Sequence, residues 1–262
     1  MTKELQKNIL RWQKKASARK EDGVFIVEGI RMFSEIPPER LLYAVLSEGF
    51  VRNSPEDLKK AEKVISAAEK GTKHIVPDNV FEKLSDTETP QGILAVVRAF
   101  NYRTEDILSA ENGLFVLLET LQDPGNLGTV IRSAEAAGAA GVFMNETTAD
   151  IYNPKVIRST MGSLFRVPFK VVPDLSVIVS AIREKGGRTY AAHLKESVDY
   201  TLPDYKGMTA FMIGNEAKGL SDALTEAADG CVRIPMQGKV ESLNAAMAAT
   251  VLLYEAARQR RC

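Results

Sequence analysis

The chain has 262 residues, 45% of them apolar and 26% charged, and Lys plus Arg balances Asp plus Glu at 34 each. That is room for two ordinary domains, too apolar for a disordered chain, and without the roughly 20-residue apolar run that a membrane-spanning helix needs. The neutral balance makes no global case for a polyanionic partner, the polar N-terminus carries no signal-peptide pattern, and Cys231 and Cys262 form neither a disulfide framework nor a metal-ligand spacing, so the cytoplasm is the expected compartment.

The first segment is cationic. Lys3, Lys7, Arg11, Lys14, Lys15, Arg19 and Lys20 are set against one acid, Glu4, around the only tryptophan, Trp12. Such a run is either a solvated helix face or a contact for a phosphate backbone. From Val24 the pattern alternates between short β runs and helical stretches, which predicts an α/β fold. Strands are expected at 24–27, 41–46, 74–76 and 93–97, with a helix over 57–70 that stops at Gly71. The polar stretch 101–112 has no strand pattern and places a domain boundary near Ser109, dividing the chain into 1–108 and 109–262.

The second half opens on Leu114 to Leu118, a continuous apolar run of the kind buried on both faces of a parallel sheet. Further strands are expected at 141–144, 169–172, 189–192, 209–213 and 231–234, separated mostly by helices. The apolar run Leu243 to Leu253 lies within a long helix, Ala245 to Arg258, expected to be buried.

Three loops stand where a β run hands over to a helix. The first is Asp123-Pro124-Gly125-Asn126-Leu127-Gly128, where Asn126 suits an N-cap and Arg132 is placed to reach back toward the loop mouth. The second is Gly214-Asn215-Glu216-Ala217-Lys218-Gly219, followed by Ser221, which is read as the cap of a short helix. The third runs from Ile234-Pro235-Met236 to Ser242-Leu243-Asn244, with two cap-forming residues where one would serve. In an open α/β sheet, ligands bind at the carboxyl ends of strands, so the three loops point to one site. No Walker loop and no Gly-x-Gly-x-x-Gly fingerprint appears. With only His74 and His193, both read as strand-edge residues away from these loops, a histidine triad or a metal site is not expected.

Asp-Pro-Gly-Asn-Leu-Gly with Arg132, Ile-Gly-Asn-Glu-Ala-Lys-Gly-Leu, and Ile-Pro-Met with Ser-Leu-Asn resemble, in that order, the three motifs of the SpoU (TrmH) branch of SPOUT RNA ribose 2′-O-methyltransferases. Lys20 to Arg31 and Thr89-Pro90-Gln91-Gly92-Ile93 resemble that family's accessory domain. The resemblance implies a C-terminal parallel-sheet SPOUT domain with a trefoil knot over 109–262, and over 1–108 a smaller α/β domain, like certain ribosomal proteins, that binds RNA. It further implies S-adenosylmethionine as donor, a homodimer formed through the C-terminal domain, and RNA as substrate. Gly214, Ile234, Met236 and Leu243 would bind the donor, and Asn126, Arg132, Glu216, Ser242 and Asn244 would form the reaction site, with no metal.

Methyl transfer to a hydroxyl is an in-line displacement that needs alignment and loss of one weakly acidic proton. A guanidinium, with pKa above about 12, is a poor base, so Arg132 reads as an anchor for the ribose or its phosphate that stabilises developing oxyanion charge. Asn126 and Asn244 would orient the hydroxyl, and Glu216 is the alternative proton acceptor. The cationic N-terminus and the accessory domain favour ribosomal RNA over tRNA. The competing reading is a non-catalytic RNA-binding or ribosome-assembly protein that keeps the fold, which would have no need of a donor pocket.

Overall fold

The computed structural model of the chain describes residues 1–262 apart from Lys70, Lys195 and Cys262. Two compact units share the chain: Met1–Phe100 with Asp150–Phe165, and Asn101–Ala149 with Arg166–Cys262. The division therefore falls at Phe100, ahead of the boundary read near Ser109, and a segment from the second half of the sequence belongs with the first unit. The reason is tertiary. Tyr152 stacks on Phe25 with ring centroids 4.5 Å apart, and its hydroxyl accepts the Phe100 N–H at 2.7 Å. No local pattern announces such a partner.

The first unit holds α1 (Lys3–Lys14), α2 (Ala16–Asp22), β1 (Val24–Glu28), α3 (Ile30–Phe33), β2 (Leu41–Ser47), α4 (Glu48–Asn53), α5 (Pro55–Ala67), β3 (Thr72–Val76), α6 (Asp78–Leu84) and β4 (Ile93–Arg98). Its sheet has the order β1-β4-β2-β3, with β4 antiparallel to both neighbours and β2 parallel to β3. Ile9 and Trp12 of α1 are buried against Val24, Ile26, Leu94 and Val96. The helix expected over 57–70 is α5. It starts earlier, because Pro55 pre-sets the helical φ at the first position, and it ends at Ala67, where Ala68 turns extended with ψ 116°. The expected end at Lys70 lies outside the described residues. His74 sits on the edge strand β3, its ring stacked on Tyr43.

The second unit contains α7 (Thr104–Ile107), β5 (Leu114–Leu118), α8 (Pro124–Ala136) and β6 (Gly141–Asn145). After α9 (Pro154–Thr160), which packs with the first unit, come β7 (Phe169–Val172), α10 (Ser176–Glu184), β8 (Arg188–Ala192), β9 (Val198–Asp199), β10 (Thr209–Ile213), α11 (Asp222–Ala227), β11 (Gly230–Arg233) and α12 (Ala245–Arg260). All seven strands are parallel, in the order β7-β6-β5-β10-β8-β11-β9. β11 lies one residue earlier than read, which leaves Ile234 in the following loop, and the two-residue β9 gave no sequence pattern. Every residue of β5 is buried, as its unbroken apolar run requires. Phe115 and Leu117 pack with Ile178, Val179 and Ile182 of α10, while α12 packs against α8, β5 and β10.

The last helix is not wholly buried. Met247 is 55% and Tyr254 45% exposed, whereas Ala246, Ala249, Leu252, Leu253, Ala256 and Ala257 are buried. Composition alone concealed this, since apolar residues occupy both faces. Its end is held firmly: the Arg260 guanidinium donates to the carbonyls of Tyr205 at 2.9 Å, Asn112 at 2.6 Å and Gly207 at 2.7 Å.

Candidate active site

β5 and β10 are adjacent and parallel, so the loops that follow them leave the sheet side by side. They are laced together. The Glu119 carboxylate accepts the Ser221 N–H and hydroxyl, both at 2.7 Å, and the Asn215 amide donates to the Thr120 carbonyl at 2.9 Å. The Asn215 side-chain oxygen turns back to accept the N–H groups of Ala217 and Lys218, while its backbone pairs with Gly219. Glu119 and Asn215 thus fix the second loop, and neither was singled out by sequence because each acts on a partner about a hundred positions away or on its own turn. Ser221 caps α11, as read.

Asn126 does not cap α8. Asp123 does, its carboxylate accepting the Asn126 N–H at 2.8 Å, and Pro124 occupies the first helical turn. The Asp-Pro pair is the sequence signal that marks this start, because proline needs no amide partner there. Asn126 is thereby freed for a different task. Its amide nitrogen donates to Glu216 Oε1 at 3.0 Å, and its oxygen accepts from Asn244 Nδ2 at 2.9 Å. Asn244 in turn caps α12, its oxygen accepting the N–H of Ala246 at 2.9 Å and of Met247 at 3.3 Å. Each amide orientation is forced by the others: a carboxylate takes only donors, so Asn126 must present nitrogen to Glu216 and oxygen to Asn244. Three loops far apart in sequence are joined by one side chain.

Glu216 also accepts the N–H of Asp123 at 3.3 Å and of Gln122 at 3.4 Å. Partial burial raises its pKa, but the Asn126 amide and the backbone donors outweigh this and hold the carboxyl below the ordinary range. A group of depressed pKa is a weak base at neutral pH. The clasp it makes is present above the usual carboxylate pKa and is lost only as pH falls through the lower, folded value. Above about pH 5, therefore, the pH–rate profile of Glu216→Gln is expected to run parallel to that of the unchanged protein, at a lower level. Loss of an ionisation from the profile would instead make Glu216 the proton acceptor.

Beside this knot of hydrogen bonds lies a cleft of about 390 Å³. Ile213, Gly214, Val232, Ala245, Ala248 and Leu252 contribute apolar wall and backbone, and Glu216, Met236, Glu241, Ser242 and Leu243 also line it. The volume falls in the range of small-molecule sites, and the mixture of apolar wall with exposed loop backbone suits a nucleoside. Gly214 is required by its own loop: a Cβ there would stand 2.1 Å from the Gly219 carbonyl carbon and 2.2 Å from Leu220 N.

Of the residues expected to bind a donor, Gly214, Ile234, Met236 and Leu243 all line this cleft, as do Glu216 and Ser242 from the expected reaction site. Asn126 and Asn244 are tied to it through Glu216. Ser242 is exposed and caps nothing. Arg132 stands apart. It is exposed on α8, about 120° around the helix from Asn126, and no hydrogen bond joins it to the three loops. Within this chain no hydrogen bond carries out the expected reach back to the loop mouth. His193, read as remote from the loops, is part of the cleft wall, because β8 lies between β10 and β11 and its end opens on the same side.

Residues 113–254 match the model of the SpoU rRNA Methylase family, more than half of the chain. The chain belongs to this SpoU family. Residues 5–95 match an MRM3-like substrate binding domain. Among relatives, a 23S rRNA guanosine 2′-O-methyltransferase of Bacillus subtilis is 35% identical over 90% of this chain and 89% of its own length. A 23S rRNA uridine 2′-O-methyltransferase of Streptomyces viridochromogenes is 36% identical over 92% and 85%. The crystal structure of the SpoU methyltransferase AviRb of S. viridochromogenes, in complex with AdoMet, superposes with a TM-score of 0.87 at 31% identity, covering 99% of both chains. The matched stretch 113–254 contains all three clasped loops.

Proposed function

We propose that this SpoU protein transfers a methyl group from S-adenosylmethionine to a ribose 2′-hydroxyl of RNA, with ribosomal RNA as the substrate. The observation that carries the reading is the bridge from Glu216 through Asn126 to Asn244, which gathers the three motif loops at the rim of a nucleoside-sized cleft. When bound, S-adenosylmethionine supplies an electrophilic methyl group on a sulfonium. Gly214, Ile234, Met236 and Leu243 hold it. Glu216 positions Asn126 and the loop before it, and Asn126 and Asn244 keep the rim in one geometry at which the ribose is oriented. Arg132 anchors the ribose or its phosphate and stabilises charge on the attacking oxygen. Incubating the purified protein with methyl-labelled donor and either ribosomal RNA or tRNA tests this: label in 2′-O-methylnucleosides of ribosomal RNA supports it, and label confined to tRNA or to bases refutes it.

The division of labour follows the two units. The N-terminal unit binds RNA, and the second unit binds the donor. The last helix of the second unit is threaded as a knot, a reading supported by α12 packed against α8 and tied at its start to Asn126. Among the described residues no helix is long and apolar enough to cross a membrane. Work on ribosomal RNA is assigned to the cytoplasm.

The working unit is a homodimer formed through the C-terminal domain. Met247 and Tyr254 are exposed on one side of α12 with the half-buried Val251 between them, and Arg132 has no partner in its own chain's motif loops; both are met if a second copy covers the row and brings its α8 to the cleft. Sedimentation should give a dimer for the full chain and a monomer of reduced activity for Met247→Lys/Tyr254→Lys. A fully active monomer would contradict the assignment.

A further inference from the structure

α1 and α2 sort the cations of the N-terminal run into two kinds. Arg11 pairs with Asp22, which also accepts the Trp12 indole N–H at 2.6 Å. Arg19 is 4% exposed, pairs with Asp150, and donates to the carbonyls of Trp12 and Gln13. The two arginines are thus consumed in fixing the helix pair, helped by buried Ile9 and Trp12 and by the Gln13 amide on the Leu84 carbonyl. The lysines are not consumed. Lys3, Lys7, Lys14, Lys15 and Lys20 are all exposed, and no ion pair engages any of them among the described residues.

Their placement is ordered. On α1, Lys3, Lys7 and Lys14 fall within about 40° of one another, and Lys3 and Lys7 are about 6 Å apart along the axis. Glu4 lies to one side of the row, near the helix start, where the dipole favours an acid. Lys15 follows the helix end and Lys20 is exposed on α2.

We propose that the row of Lys3, Lys7 and Lys14 on α1 is a phosphate-tracking face, which binds the RNA backbone without reading its sequence. The proposal rests on the RNA reading above and deepens it. Ammonium groups are point charges on flexible stems; they neutralise phosphates but lack the planar fork with which arginine reads a base edge. The helix α1, fixed against the sheet by buried Ile9 and Trp12, keeps three of them on one side, where single mobile lysines would each lose ordering entropy. It also reconciles a neutral chain with a polyanionic substrate, since positive charge is concentrated along one face of α1.

The test compares the full-length protein with Lys3→Gln/Lys7→Gln/Lys14→Gln and with Lys59→Gln/Lys63→Gln/Lys83→Gln, which removes equal charge from exposed lysines elsewhere on the same unit. The probe is a fluorescein-labelled RNA stem–loop of mixed sequence, titrated between about 50 and 200 mM salt. The first variant should bind roughly 10- to 100-fold more weakly at low salt, with a log–log salt slope shallower by about 2 to 3, for every loop sequence tried. The second variant should bind like the unchanged protein, and calorimetry should find S-adenosylmethionine binding intact in all three. An unchanged slope in the first variant, or an equal drop in the second, overturns the lysine face while leaving the methyltransferase reading untouched. Failure of the unchanged protein to bind RNA, or tighter binding to phosphatidylglycerol vesicles than to RNA, overturns both the face and the RNA reading.

Discussion

Replacing Arg132 with alanine should lower the methylation rate by about 100-fold or more while leaving the fold and the affinity for S-adenosylmethionine nearly unchanged. The structure separates these effects cleanly. Arg132 is exposed on α8 and holds no ion pair or hydrogen bond to the motif loops, so its loss leaves no buried partner unsatisfied and should change stability by no more than about 0.5 kcal/mol. It does not line the donor cleft either. In the role proposed for it, what is removed is a preorganised donor to developing negative charge, a contribution of about 3 kcal/mol in such sites. Lysine should restore little, because a single ammonium cannot reproduce the two-pronged contact of a guanidinium. Rates measured at saturating RNA and donor, with donor binding followed by calorimetry, decide the matter. Near-normal turnover in Arg132→Ala would remove the residue from the mechanism.

Gly214→Val should abolish donor binding, and through the loop itself. A simple crowding argument would have the new side chain intrude into the cleft. The backbone says otherwise: even a Cβ at this position meets Gly219 and Leu220 main-chain atoms at 2.1 to 2.3 Å, where there is no flexible side chain to yield. The 215–219 turn must open, and with it go the Asn215–Gly219 pairing and the placement of Glu216 against Asn126. A stability loss of roughly 1–3 kcal/mol should accompany the loss of binding. Gly214→Ala should already show most of the effect, because the clash begins at Cβ. Tight donor binding by Gly214→Ala, measured by calorimetry on protein with unchanged circular dichroism, would contradict this account.

Much of the architecture was legible in the sequence because it is written in local patterns. The unbroken apolar run at Leu114 to Leu118 announced a strand buried on both faces, and the three β-to-α loops announced a site at one end of a parallel sheet. The resemblance to SpoU enzymes rested on those loops, and the family match agrees with it. What was not legible depends on contacts across the fold. Asn126 looked like a cap, yet Asp123 takes that role, and its amide was freed to link loops that lie 90 and 118 positions away in sequence. His193 looked remote until the strand order put the end of β8 beside the cleft. Residues 150–165 looked like part of the second half, and contacts across the fold, among them the stack of Tyr152 on Phe25 and the Arg19–Asp150 pair, assign them elsewhere. Helix α12 reads as apolar throughout, and which of its residues face outward is set by α8 and the sheet it packs on. Arg132 shows the limit most clearly: its position on the helix was known from the sequence, but that it makes no hydrogen bond to the three loops and does not line the cleft became visible only in three dimensions.

The central claim is that this clasped trio of loops methylates ribose in ribosomal RNA. Mass mapping of 2′-O-methylation in ribosomal RNA from cells with and without the protein tests it most directly. The account predicts that one methylated ribose disappears when the protein is removed, returns when the unchanged gene is restored, and stays absent when the restored gene carries Arg132→Ala. Identical methylation maps with and without the protein would contradict it.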